Sequence, residues 1–117
     1  MRFQPKDPDF ERRVRASFAR QAAMRTLGVT LEHVAPGEVD LALPFRADLT
    51  QQHGFLHAGI ITAVVDSACG YAALSLMAPG SAVLRVSNTR CSSSLLPAAS
   101  GSAGSAAWSG RAAPSPS

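Results

Sequence analysis

The residues best suited to chemistry lie in one stretch, QQHGFLHAGIITAVVDSACGYAA, which runs from Gln51 to Ala73. It begins with amide and imidazole side chains and then turns apolar, with a single carboxylate, Asp66, inside the apolar part. An ionised carboxylate is costly to surround with apolar side chains unless it is paired or faces water. The position of Asp66 therefore needs a specific explanation.

The segment His57-Ala58-Gly59 lies where a long helix is predicted to begin. A helix N-terminus presents free N–H groups and partial positive charge, and small residues let a ligand approach the backbone. Such a corner could bind the oxyanion that develops on a carbonyl. In the structural alternative, Gly59 only eases helix entry and His57 only caps or packs. The spacing alone favours that alternative.

Asp66 follows His57 by nine residues. In a helix this separation is about half a turn out of phase and roughly 13 Å along the axis. The two side chains therefore cannot easily serve one small substrate within one chain. Two explanations stay open: Asp66 is a structural residue bonded to backbone, or it faces a cleft shared with a second subunit. In the second case it would meet the His57–Gly59 corner of the partner.

The overall composition excludes several classes of protein. A chain of 117 residues predicts one domain, and a net charge of +3 without a dense Lys/Arg block argues against nucleic-acid binding. Two cysteines, Cys69 and Cys91, suit unpaired thiols in a reducing cytoplasm, and the charged N-terminus is not a signal peptide. The apolar run 60–78 is interrupted by Asp66, which favours a core helix over a membrane span.

The spacing of apolar residues along the chain predicts a helix, a pair of strands, a loop and a second helix. The first helix should end at Gly28, the strands should turn at Pro36-Gly37, and the second helix should stop before Pro79-Gly80. The predicted ranges are a helix over 8–26, strands within 29–45, a polar loop over 46–55, a helix over 58–77 and a possible strand over 81–86.

The character of the sequence changes after Val86. From Cys91 to Ser117, nine residues are Ser and seven are Ala, and residues 87–117 contain no acid. This composition predicts a disordered tail over 87–117, separate from a domain over 1–86. We also expect a reading-frame shift, because codons permitted for residues 87–92 read V-E-Y-K-V-Q when shifted by one nucleotide. The shifted phrase alternates like a strand.

Six residues carry a resemblance to a known family: Gln51, Gly54, His57, Ala58, Gly59 and Asp66. Their order and spacing resemble the motif of hotdog-fold acyl-CoA thioesterases of the phenylacetyl-CoA (PaaI-like) type. The resemblance spans Phe10 to Val86. It implies an α+β hotdog fold, a long central helix wrapped by an antiparallel sheet, which we expect to be incomplete after Val86.

The resemblance also implies roles for these residues in hydrolysing acyl-CoA. The N–H of Ala58, with Gly59 beside it, would polarise the thioester carbonyl. Asp66 from a partner subunit would be the base or nucleophile. Gln51, where the family often has Asn, would position water or thioester, and His57 would hold the loop.

Further expectations concern binding and assembly. Gly54 and Ser67 are predicted to contact the substrate, while Cys69 is predicted to pack rather than to act as a nucleophile. The family implies no metal and no cofactor, and a homodimer or homotetramer. Two alternatives stay open: a non-catalytic or inactive truncated hotdog protein, and a hotdog acyl-thioester hydratase or dehydratase. The second is disfavoured because a hydratase needs a His and a carboxylate in one pocket, whereas His57 and Asp66 point to opposite sides of the predicted helix.

Overall fold

The chain folds as helices packed against an antiparallel sheet, and the computed structural model describes residues 4–79, 89–96 and 105–114. The helices are α1 (Phe10–Arg20), α2 (Ala22–Leu27) and α3 (Ala58–Leu74), with a short 3₁₀ turn over Ala47–Leu49. The strands are β1 (Thr30–Ala35), β2 (Glu38–Pro44), β3 (Thr89–Leu96) and β4 (Ser105–Pro114). The possible strand over 81–86 lies outside the described residues.

The predicted first helix is two helices, because the chain breaks at Gln21. The backbone there is extended (φ −80°, ψ 100°). Its side chain donates to the Tyr71 hydroxyl at 2.8 Å and accepts from the Ser67 hydroxyl at 3.0 Å. These contacts with α3 hold Gln21 out of the helical path. Gly28 ends α2 with φ 77°, so the predicted helix end is confirmed.

The predicted strand pair is confirmed as an antiparallel hairpin, β1 with β2, that turns at Pro36-Gly37. Gly37 has φ 75°, a conformation that glycine adopts without steric cost. The register shifts between Leu31 and His33, and this bulge lets Leu31 and Val34 both pack against the core. In β2 the side chains alternate, and the buried set is Val39, Leu41 and Leu43.

The C-terminal strands complete a four-stranded sheet in the order β1-β2-β4-β3. β4 pairs with β2 from Glu38↔Arg111 to Pro44↔Ser105, and β3 pairs with β4. The expectation of disorder is therefore wrong for residues 89–96 and 105–114. The boundary between residues 86 and 87 and the frame shift stay predictions.

Small residues explain why this tail can lie against a helix. A Cβ placed on Gly110 of β4 would lie 2.5 Å from the carbonyl carbon and oxygen of Ala68 in α3. The strand and the helix thus touch backbone to backbone, which a larger side chain would prevent. Close backbone packing of this kind needs no large apolar side chain, so the Ser/Ala composition of the tail did not indicate it.

Helix α3 lies on the sheet and supplies much of the core. No helix in the described part of the chain is long and apolar enough to cross a membrane. The buried apolar side chains are Val14, Met24, Val29, Val39, Leu41, Leu43, Val64, Ala68, Tyr71, Ala72, Ala73 and Leu74.

The C-terminal end of α3 is held by a side chain from α1. The helix ends at Leu74, three residues before the predicted end, and the chain continues in tighter turns to Met77. The Arg13 guanidinium donates to the carbonyls of Met77 and Ala78 at 2.6 Å and of Leu74 at 2.8 Å. A cation at this end also interacts favourably with the helix dipole.

Cys69, in the C-terminal half of α3, is disulfide-bonded. The expectation of an unpaired thiol is therefore wrong at this position. A sulfur in a disulfide is not a thiolate nucleophile, so the prediction that Cys69 does not attack the substrate agrees with its bonding.

Candidate active site

The loop before α3 is organised by Gln51. Its backbone N–H donates to the Phe55 carbonyl at 2.8 Å, and its own carbonyl accepts from the Gly54 N–H at 3.0 Å. Its side-chain Oε1 accepts from the His53 N–H at 2.5 Å and the Phe55 N–H at 3.4 Å. Gln51 Oε1 is thus occupied within the loop, and Nε2 is the polar atom that has no partner among the described residues.

His57 is the N-cap of α3, with extended backbone (φ −64°, ψ 134°). Its ring Nδ1 accepts the Gly59 N–H at 2.8 Å, and its own N–H donates to the Leu49 carbonyl at 3.0 Å. A nitrogen that accepts a hydrogen bond carries no proton, so the neutral ring has its proton on Nε2. His57 therefore joins the loop and the helix start.

The N–H of Ala58 is the open donor at this helix start. The Ile60 and Ile61 N–H groups donate to the His57 carbonyl at 3.0 and 3.1 Å, and Gly59 is bound to the His57 ring. Ala58 is exposed, and its N–H has no acceptor within the described ranges. The corner can therefore offer one backbone hydrogen bond to an incoming oxygen.

Asp66 lies further along the exposed side of α3. Its carboxylate is exposed and makes no hydrogen bond or ion pair with any residue that the structure describes. The explanation that Asp66 bonds to backbone as a structural residue therefore has no support among the described residues. Eight residues separate it from Ala58, which is about 12 Å along the axis and about 80° around it. The structure thus does not bring Asp66 to the His57–Gly59 corner of its own chain.

The two predicted substrate-contacting residues differ in their surroundings. Gly54 is exposed in the loop with φ 87°, and a Cβ there would meet nothing within 4 Å. The Ser67 hydroxyl instead donates to Gln21, toward the break between α1 and α2. Ser67 therefore has a structural partner already.

Two residues near the site were missed from the sequence. Thr62 is exposed between Ala58 and Asp66, and its hydroxyl donates to the Ala58 carbonyl at 2.8 Å. The four-residue spacing of these three positions was the available signal. Phe55, in the loop that leads to His57, is 71% exposed. Aromatic exposure is not visible in a sequence, so nothing there indicated it.

Within residues 4–79, 89–96 and 105–114, no three or more His, Cys, Asp or Glu side chains are grouped so that they could hold a metal ion.

A long helix on an antiparallel sheet, with a polar loop leading to its open N-terminus, defines the α+β hotdog arrangement. The structure resembles a thioesterase family protein from Silicibacter pomeroyi, with 35% identity over 88% of this chain and 95% of that chain and a TM-score of 0.66. The chain belongs to the hotdog-fold thioesterase family, so the predicted family and fold are confirmed.

Two more distant structures share the fold. The E. coli PaaI protein from the phenylacetic acid degradation operon is 15% identical over 92% of this chain and 96% of that chain, with a TM-score of 0.61. A phenylacetic acid degradation-related protein from Ralstonia eutropha JMP134 is 14% identical over 89% and 98%, with a TM-score of 0.58. No protein-family model and no curated protein matches the sequence.

Proposed function

We propose that the chain hydrolyses acyl-CoA thioesters to the free acid and CoA. The observation that carries the proposal is that the Ala58 N–H and the exposed Asp66 carboxylate lie along one side of α3, and neither has a partner among the described residues. Thioester hydrolysis needs a donor for the carbonyl oxygen and a carboxylate for the attacking step. Membership of the thioesterase family supports the same reaction.

The reaction centre is formed by two copies of the chain. Ala58 and Asp66 are about 12 Å apart along one helix, so they cannot both reach one thioester carbon. A second copy that presents its own Asp66 to the first copy's Ala58 brings the two groups together. A homodimer is the smallest assembly that does this, and a homotetramer would contain the same pairs.

The proposed chemistry uses few groups. The Ala58 N–H donates to the thioester oxygen as negative charge develops on it. Asp66 of the partner subunit either takes a proton from the water that attacks the carbonyl carbon or attacks that carbon itself. In either case the C–S bond then breaks, and the CoA thiolate leaves and takes up a proton. In the second case this step leaves an anhydride between Asp66 and the acyl group, which water hydrolyses to the free acid and the Asp66 carboxylate.

Gln51 and Gly54 contribute from the loop. Since Gln51 Oε1 is engaged by backbone N–H groups, this side chain acts through Nε2 as a donor to the water or the thioester oxygen. Gly54 keeps the loop free of side chain where the acyl-CoA approaches. The substrate class is a small, medium-chain or aromatic acyl-CoA, and no metal or cofactor takes part.

The test replaces Asp66 and measures thiol release from a panel of acyl-CoAs. Asp66→Asn keeps the size of the side chain and removes its basicity. We expect kcat to fall by at least about 100-fold with little change in KM, because a positioned general base contributes about 10²–10⁴-fold. Asp9→Asn is the matched control, since Asp9 is exposed just before α1 and its carboxylate pairs with Arg12.

Three outcomes contradict the proposal. An Asp66→Asn variant as fast as the unmodified chain removes Asp66 from the mechanism. Absence of thiol release from every acyl-CoA points to the non-catalytic alternative. Hydration of an enoyl-CoA without release of CoA identifies a hydratase instead.

A further inference from the structure

The ring of His57 and the missing side chain of Gly59 form one structural unit. Nδ1 accepts the Gly59 N–H at 2.8 Å, and a Cβ added to Gly59 would lie 3.0 Å from Nδ1 and 3.1 Å from Cε1. A side chain at residue 59 would thus crowd the ring that caps it. This contact gives a physical reason for a His and a Gly two residues apart.

The unit of His57 and Gly59 also determines which N–H group at the start of α3 has no hydrogen-bond acceptor. At the helix start, two N–H groups are bound by the His57 carbonyl and one by the His57 ring. Of the first four N–H groups of α3, only that of Ala58 has no acceptor among the described residues. Without the ring, the Gly59 N–H would also be free, and two donors would compete for one substrate oxygen in two geometries.

Charge explains why a histidine suits this position. Ser, Thr, Asp and Asn are the usual N-caps, and an aspartate would stabilise the helix start further through the dipole. An aspartate would also place a negative charge beside the developing oxyanion. An imidazole that accepts through Nδ1 is neutral, so it caps the helix without opposing that charge.

We propose that His57 is a positioning residue: as a neutral cap on Gly59, it makes the Ala58 N–H the single backbone donor to the thioester oxygen. This inference rests on the proposed thioesterase function. It assigns His57 no proton transfer and no contact with the substrate.

The test compares three replacements of His57 in the full-length chain. His57→Asn caps without charge, His57→Asp caps with charge, and His57→Ala does not cap. We expect His57→Asn to keep kcat within about threefold and His57→Ala to lose about five- to tenfold with a lower Tm. His57→Asp should keep its Tm yet lose at least about tenfold in kcat, because a charge a few ångströms away opposes the oxyanion. A merely structural cap would make the Asp and Asn variants equally active.

A readout independent of activity is amide hydrogen exchange. The Gly59 amide should be protected from exchange in the unmodified chain and in His57→Asn, and should exchange faster in His57→Ala. The Ala58 amide should exchange fast in the unmodified chain and in both of these variants. His53→Ala is the control, since His53 lies exposed four residues earlier and its ring makes no hydrogen bond with the described residues. It should change neither kcat nor Gly59 exchange.

The outcomes separate the two proposals. Failure of the unmodified chain to release CoA overturns the thioesterase function, whereas an unprotected Gly59 amide overturns the cap. Equal kcat for the Asp and Asn variants also overturns the inference. A His57→Asn variant whose kcat is as low as that of His57→Ala, although its Gly59 amide is still protected, would overturn the inference too. The imidazole ring would then contribute something other than the cap.

Discussion

Ser75 links the end of the central helix to the tip of the hairpin, and its removal gives a sharp test of the packing. The residue is fully buried (0% exposed). Its hydroxyl accepts from the Gly37 N–H at 2.8 Å and donates to the Ala72 carbonyl at 2.6 Å. Gly37 is itself buried, so Ser75→Ala leaves its N–H without a partner and out of contact with water. An unsatisfied buried donor costs about 1–3 kcal/mol, and we expect about 2 kcal/mol of lost stability.

Urea unfolding at fixed protein concentration measures this loss. With a slope of about 2 kcal/mol per M, the midpoint should fall by about 1 M at an unchanged slope. Ser17→Ala is the matched control, because the Ser17 hydroxyl lies 3.4 Å from the Tyr71 hydroxyl, which keeps its 2.8 Å bond to Gln21. We expect that control to lose less than about 0.5 kcal/mol. Equal losses in the two variants would refute the assignment of Ser75 as the link.

Two further predictions concern contacts of α3. Gly110→Ala should destabilise the chain by about 1–3 kcal/mol, because the added Cβ meets the backbone of Ala68 at 2.5 Å. Gly70→Ala, where a Cβ meets nothing within 4 Å, should be neutral or stabilising in the same chemical denaturation, and the reverse order would contradict this packing. Arg13→Lys should lower Tm by several degrees, since one ammonium group cannot replace a guanidinium that donates to three carbonyls. Arg12→Lys, 81% exposed, should leave Tm almost unchanged; similar shifts in both variants would argue against the cap.

Local signals predicted the elements whose causes are local. The left-handed glycine that ends α2, the Pro36-Gly37 turn and the alternating β2 strand all depend on residues adjacent in sequence. The break at Gln21 was not predictable, because its partners Ser67 and Tyr71 are 46 and 50 residues away. The early end of α3 depends on Arg13 in the same way, since that side chain arrives from another helix.

The candidate site also has features with a local cause in the sequence and features that depend on the rest of the fold. The motif from Gln51 to Gly59 was identified by its resemblance to the family, and the structure adds which of its atoms are occupied: Gln51 Oε1 and the Gly59 N–H. The exposure of Asp66 was left open by the sequence because it depends on what surrounds the helix. A carboxylate on the uncovered side of α3 has no desolvation cost within one chain, so the difficulty of an acid in an apolar helix disappears.

The C-terminal segments bear directly on the proposed site, although they lie on the other side of α3. Ala68, which contacts Gly110, follows Asp66 by two residues and so faces about 200° around the helix. The contact of β4 therefore sets how closely α3 approaches the sheet, and hence where Asp66 is held. The close contact between Gly110 and the Ala68 backbone thus bears on the proposed chemistry through the position of α3.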